Sequence, residues 1–202
     1  MDEHVSRRER KKQETRQHLL QAAWQLFQEK GYDDTTVQEI TKEADVAKST
    51  FFNYFETKEA ILGEIAVWQT ELLGRRILSA DDVPDSIVAR IKLVIKAMAD
   101  KFSPGGKLAH HLFSARISEP VKRKSAHQLG SILHKLVVQG QAEQEIRQDV
   151  DAGLLTRFLM TCVFHNIFQW HHAPDAFPLE SRLHDSVDAL MDGLGGPEWR
   201  KR

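Results

Sequence analysis

Lys48, Ser49, Phe52 and Asn53 fall at i, i+1, i+4 and i+5, a spacing that gathers four side chains on one face of a short helix. Their chemistry suits a nucleic-acid groove. An ammonium can read a guanine edge and a carboxamide an adenine edge; a hydroxyl and a phenyl ring suit phosphate, sugar or thymine-methyl contacts. Val46, Phe51 and Phe55 take the opposite positions, facing a core with Ile40, Ala44 and Phe27. The spacing is equally satisfied by a helix that buries one stripe and carries an incidentally polar outer face.

Two short helices joined by a tight turn, behind a longer packing helix, would hold such a face outward. Leu20, Ala23, Trp24 and Phe27 recur at helical spacing, Leu19 and Leu26 widen the stripe, and Gly31 stops that first helix. Thr36 and Glu39 form a Thr-x-x-Glu capping box for a second helix, Val37 to Ala44. Asp45-Val46-Ala47 breaks the pattern, and a third helix is expected from Lys48 to Phe55. Thr57 caps a fourth, with Ile61, Ile65, Trp68 and Leu72 on its stripe. Upstream, Arg7, Arg8, Arg10, Lys11, Lys12 and Arg16 stand against only Glu9 and Glu14, which fits either a phosphate-contacting arm or a solvated terminus.

Residues 31–59, running from Gly31-Tyr32 through Thr35-Thr36-Val37, Ala44-Asp45-Val46 and Ser49-Thr50-Phe51-Phe52-Asn53-Tyr54-Phe55 to Lys58-Glu59, resemble the amino-terminal domain of the TetR family of bacterial regulators. Ala22-Ala23-x-x-Leu26-Phe27 fits the same pattern, and the resemblance extends over roughly residues 10–65. It implies DNA contacts from Thr36 and Gln38 in the second helix and from Lys48, Ser49, Thr50, Phe52, Asn53 and Tyr54 in the third. It also implies phosphate contacts from Lys58 and, through a basic arm, from Arg16. Three positions depart from the pattern. Asp45 replaces a turn glycine, Ala47 replaces a capping serine, and Phe52 stands where tyrosine is common.

The chain has 202 residues, 41% of them hydrophobic and 28% charged, with a net charge of −1, so no global basic signal accompanies the motif. Cys162 is the only cysteine, which excludes a disulfide framework and a cysteine-based zinc site. Arg157, His165, Asn166 and Gln169 interrupt the most apolar window, leaving it too short and polar for a membrane span. A cytoplasmic protein is expected, without membrane contact. No nucleophile elbow, phosphate loop or paired-carboxylate motif appears, so neither an enzyme nor a cofactor is expected.

An all-α chain of about nine helices is predicted. The carboxyl half contributes helices over Asp85–Phe102, Lys107–Ile117, a stretch from Ser118 to Gly140 carrying Leu129, Ile132, Leu133 and Leu136, Asp151–His171 and Leu179–Leu194. The organisation is then 1–58 for the arm and reading head, 59–79 for a connecting helix, 80–195 for ligand binding and dimerisation, and 196–202 for a tail. The resemblance implies a homodimer on double-stranded, palindromic operator DNA, released by a small, largely apolar effector. An activator, or a dimeric ligand-binding module with a weakened head, is the alternative.

Polar residues within the apolar envelope are the candidates for ligand contact: His110, His134, His165, Asn166 and Gln169, with Phe102, Phe113 and Trp170 as lining. Leu159, Val163, Ile167, Leu183, Val187, Leu190 and Leu194 are the candidate dimer seam. The helix from Asp151 is apolar on nearly every side, which suits a subunit interface and a monomer core equally. Adjacent histidines at 110–111 and 171–172 point about 100° apart on a helix, so neither pair chelates one ion readily and no metal is expected.

Overall fold

A computed structural model describes residues 6–79, 83–102, 119–173 and 176–193. These form eight helices: α1 (Arg7–Lys30), α2 (Val37–Glu43), α3 (Lys48–Phe52), α4 (Lys58–Ser79), α5 (Ile87–Phe102), α6 (Glu119–Ala142), α7 (Ala152–His172) and α8 (Leu179–Asp192). The helix expected over Lys107–Ile117 lies outside the described residues.

Local signals set most of the boundaries. The Ser6 hydroxyl accepts the Glu9 amide at 3.1 Å, so α1 starts at Arg7. The basic run therefore forms the exposed first turns of this helix. Gly31 ends α1 at φ 91°, a conformation glycine adopts without strain. Thr36 and Glu39 close their capping box at both ends. The Asp151 carboxylate accepts the Leu154 amide at 2.9 Å to start α7. Both α3 and α8 end earlier than expected: Asn53 already caps α3, and Gly193 at φ 84° stops α8 at Asp192.

Two hydrophobic cores result. The first gathers Leu19, Leu20, Ala23 and Phe27 of α1 with Ile40, Phe51, Phe55 and Ile61, Leu62 and Ile65 of α4. The second joins Ile77 at the far end of α4 to α5, α6, α7 and α8. The buried side of α4 differs from the sequence expectation beyond Ile65: Trp68 is half-buried, Leu72 is exposed, and Val67, Thr70 and Ile77 turn inward.

The link between α6 and α7 is held by its own polar contacts. Glu145 accepts hydrogen bonds from the Ser86 hydroxyl at 2.7 Å and the Ile87 amide at 3.0 Å, covering the open start of α5. Those donors hold its carboxyl below the ordinary carboxylate range. Gln141 donates to the Arg147 and Val150 carbonyls, both at 2.8 Å. Gly140 lets the loop fold back: a Cβ there would stand 2.7 Å from Ile146 Cδ1 and 3.1 Å from Ile87 Cγ2. Gly140→Ala should overpack this corner by about 1–3 kcal/mol, against about 1 kcal/mol of helix propensity gained. A lowered urea midpoint is the expected result, and an unchanged or raised one contradicts the packing described.

Candidate nucleic-acid interface

The third helix divides its residues cleanly between two environments. Phe51 is fully buried and Phe55 nearly so, with their rings 5.6 Å apart. Lys48, Ser49, Phe52 and Asn53 are exposed together on the other side, while Thr50 and Tyr54 are half-buried. Thr36 and Gln38 are exposed on neighbouring α2. The turn between the two helices forms despite its unusual residues. Asp45 takes φ 53°, the left-handed region that aspartate tolerates better than most residues. The Val46 amide donates to the Thr41 carbonyl at 2.9 Å, and Ala47 starts α3 without any side-chain cap.

Lys58 has a different role from the phosphate contact expected of it. Its ammonium donates to the Tyr32 carbonyl at 2.8 Å and the Thr35 carbonyl at 2.9 Å, with the Asp33 carbonyl at 3.4 Å. It also lies 4.2 Å from the centre of the Tyr32 ring. Three N–H donors thus face three carbonyls, two of them closely. Lys58 instead clamps the loop that leads into α2.

Arg16 is likewise turned inward. Its guanidinium donates to Glu64 of α4 at 2.5 Å and sits 5.7 Å from the centre of the Phe55 ring. The same Glu64 oxygen lies 4.0 Å from the Lys124 ammonium of α6. Gln128 of α6 donates to Glu71 at 2.5 Å, and Val121 packs on the head's core. This seam between the head and the carboxyl half was missed from sequence, since its partners lie far apart in the chain and carry no spacing signal.

Among the described residues, those expected at a ligand pocket face different surroundings. His110 and Phe113 lie outside the described residues, and of Phe102 only the backbone is described. His134 is exposed with Nδ1 3.2 Å from the Thr156 hydroxyl, while His165 and Gln169 are exposed on α7. Asn166 is buried and donates to the Cys162 carbonyl at 2.8 Å and the Ser186 hydroxyl at 3.1 Å, pinning α7 to α8. Trp170 is buried in the second core. Asn166 and Trp170 are thus both enclosed by helix packing.

Most of the expected dimer seam is enclosed in the same way. Leu159, Val163, Ile167, Leu183 and Val187 all lie in the chain's own core, and Leu190 packs against it; Leu194 lies outside the described residues. The outward side of α7 is a different stripe. It carries Phe164 and Phe168 one turn apart, 41% and 55% exposed, with Phe158, 45% exposed, about 100° round the helix from them. An open groove of about 610 Å³ runs along it, lined by Arg157, Met160, Thr161, Phe164, His165 and Phe168. Among the described residues no group of three metal-ligating side chains comes together, and no helix is long and apolar enough to cross a membrane.

A buried-core helix pair that presents lysine, serine and asparagine on one outward face is the architecture of a helix-turn-helix DNA-binding protein. Residues 19–65 match the family model described as bacterial regulatory proteins, tetR family. The chain is 30% identical over 184 residues to the HTH-type transcriptional repressor DhaR of Mycobacterium sp. (strain GP1), covering 87% of this chain and 92% of that one. It therefore belongs to the TetR family of DNA-binding transcriptional regulators. Its fold is shared with FadR of Thermus thermophilus, a TetR-family transcriptional repressor solved with lauroyl-CoA, at TM-score 0.65 and 23% identity, covering 90% of this chain and 97% of that one. FadR of Bacillus subtilis, solved with stearoyl-CoA, matches at TM-score 0.62 and 20% identity over 89% of this chain and 99% of that one.

Glu39 ties the reading head to pH. Hydrogen bonds from the Lys30 ammonium and then from Thr36 pull its carboxyl from an ordinary 4.5 down to about 2. The folded value lies below the unfolded one, so this contribution is complete above about pH 4.5 and disappears as pH falls towards 2. Glu39→Gln keeps the capping geometry and removes the charge. The variant should unfold at lower urea than the parent at pH 7, with the gap narrowing steadily between pH 4.5 and 3. A gap independent of pH would show that the charge contributes nothing.

Proposed function

We propose that the chain is a homodimeric repressor that binds a palindromic DNA operator and releases it when a small, largely apolar effector enters the carboxyl half. The observation that carries the DNA reading is the exposed quartet Lys48, Ser49, Phe52 and Asn53, fixed from beneath by buried Phe51 and Phe55. Lysine and asparagine are the side chains that pair with guanine and adenine edges in a major groove. Residues 1–58 form the reading head, 59–79 the connecting helix and 80–195 the effector and pairing domain. Repression is the role named for DhaR, a relative that aligns along most of the chain.

Pairing has a geometric reason: two reading helices must stand about 34 Å apart to enter successive major grooves on one side of a duplex. The outward side of α7, with Phe164 and Phe168 one turn apart, supplies the face, since exposed phenyl rings at this spacing are a poor match for water. Release follows from the seam at Glu64 and Glu71. An effector that repositions α6 moves the partners of Lys124 and Gln128 on α4, and with them the separation of the two heads. An apolar acyl chain is the first effector class to assay, both as the free acid and as its CoA thioester, given the two acyl-CoA complexes that share this fold.

Three measurements test this reading. Duplexes selected from a random pool by the full-length protein should share a palindrome, and their affinity should fall steeply with salt. Selection of no common sequence sinks the function. Asn53→Ala should relax preference at one base pair per half-site, by about 1–3 kcal/mol; unchanged discrimination removes Asn53 from the readers. Phe168→Asp should sediment as a monomer and lose operator binding while keeping its helical circular dichroism. A dimeric variant places the pairing face elsewhere.

A further inference from the structure

We propose that Phe52 reads a thymine methyl group, so that each half-site of the operator carries a T·A pair at the position facing this ring. The inference rests on the DNA-binding function above and adds a specificity rule to it. Among the described residues of α1, α2 and α3, Phe52 is the one large apolar side chain left exposed, at 49%. Its direction is fixed: the ring meets Phe51 edge-on, with centroids 5.4 Å apart and planes at 79°, and Phe51 is anchored in the core. Lys48 lies one turn before it and Asn53 directly after it, both exposed, so the ring stands among the polar readers.

The chemistry of the groove then narrows the partner. Guanine, cytosine and adenine present only donors and acceptors on their major-groove edges, and thymine alone adds a methyl group. A phenyl ring set against a donor or acceptor strips it of water and returns no hydrogen bond. Set against a methyl, the ring removes apolar surface on both sides from water. With no hydroxyl, Phe52 cannot hydrogen-bond a phosphate. Contact with a deoxyribose is the competing arrangement, and it would be indifferent to sequence.

Deoxyuridine pairs as thymidine does and lacks only the methyl, so it isolates the contact. Each thymine of the selected operator is replaced in turn, symmetrically in both half-sites, and binding of the full-length dimer is read by fluorescence anisotropy. At one symmetric position the parent protein should lose about 4-fold per methyl, or about 15-fold for the pair. Phe52→Ala should bind thymine and deoxyuridine duplexes equally at that position while keeping any methyl sensitivity found elsewhere, and Phe52→Leu should keep part of it. Absence of a sensitive thymine, or an identical sensitivity in Phe52→Ala, overturns the assignment and leaves DNA binding intact. If no duplex is selected at all, the function fails first and this inference with it.

Discussion

Ile65 and Ile77 sit on the same helix and close two different hydrophobic cores. The first end of α4 completes the packing that supports α3, and the second end enters the bundle of α5 to α8. One continuous helix therefore joins the two cores. Close approach makes the coupling stiff at the second end. Gly74 lies so near α6 that a Cβ there would stand 2.7 Å from Ile132 Cδ1. Interdigitated packing of this kind resists gradual deformation and favours discrete rearrangements.

Polar contacts follow the same helix. Lys58 at its start holds three carbonyls of the loop before α2, Glu64 pairs with α1 and faces α6, and Glu71 meets α6 again. The reading face itself has no contact with the carboxyl half among these bonds. What reaches it is the placement of α4, passed on through the Lys58 clamp and the packing of Phe51 and Phe55. The proposed readers are thus side chains of α3, while a scaffold helix sets where they stand.

The head was legible in sequence because its determinants are short-range. A capping box spans four residues, a left-handed Asp45 marks one turn, and the division of α3 into buried and exposed sides follows from helical spacing alone. Lys58 and Arg16 were misread for the opposite reason. Their partners are backbone carbonyls and a carboxylate many residues away, and a lone basic side chain does not reveal which acceptor folding will bring to it. On α7 the limit was periodicity. Apolar residues on every side leave the spacing unable to choose between Leu159, Val163 and Ile167 as the inward stripe and Phe164 and Phe168 as the outward one. Asn166 shows a related limit: its amide looked free for a ligand until Ser186 and the Cys162 carbonyl were placed against it.

The outward aromatic stripe of α7 lies wholly in the carboxyl half, separate from the residues that face DNA. On the proposed pairing through this face, recognition of self and recognition of the operator are carried by different parts of one polypeptide. A damaged copy that keeps the stripe but has a defective reading head would still capture an intact subunit, leaving a pair with one working head. In genetic terms such alleles would be dominant, because a single poor subunit disables its partner, whereas lesions in the stripe itself would be recessive.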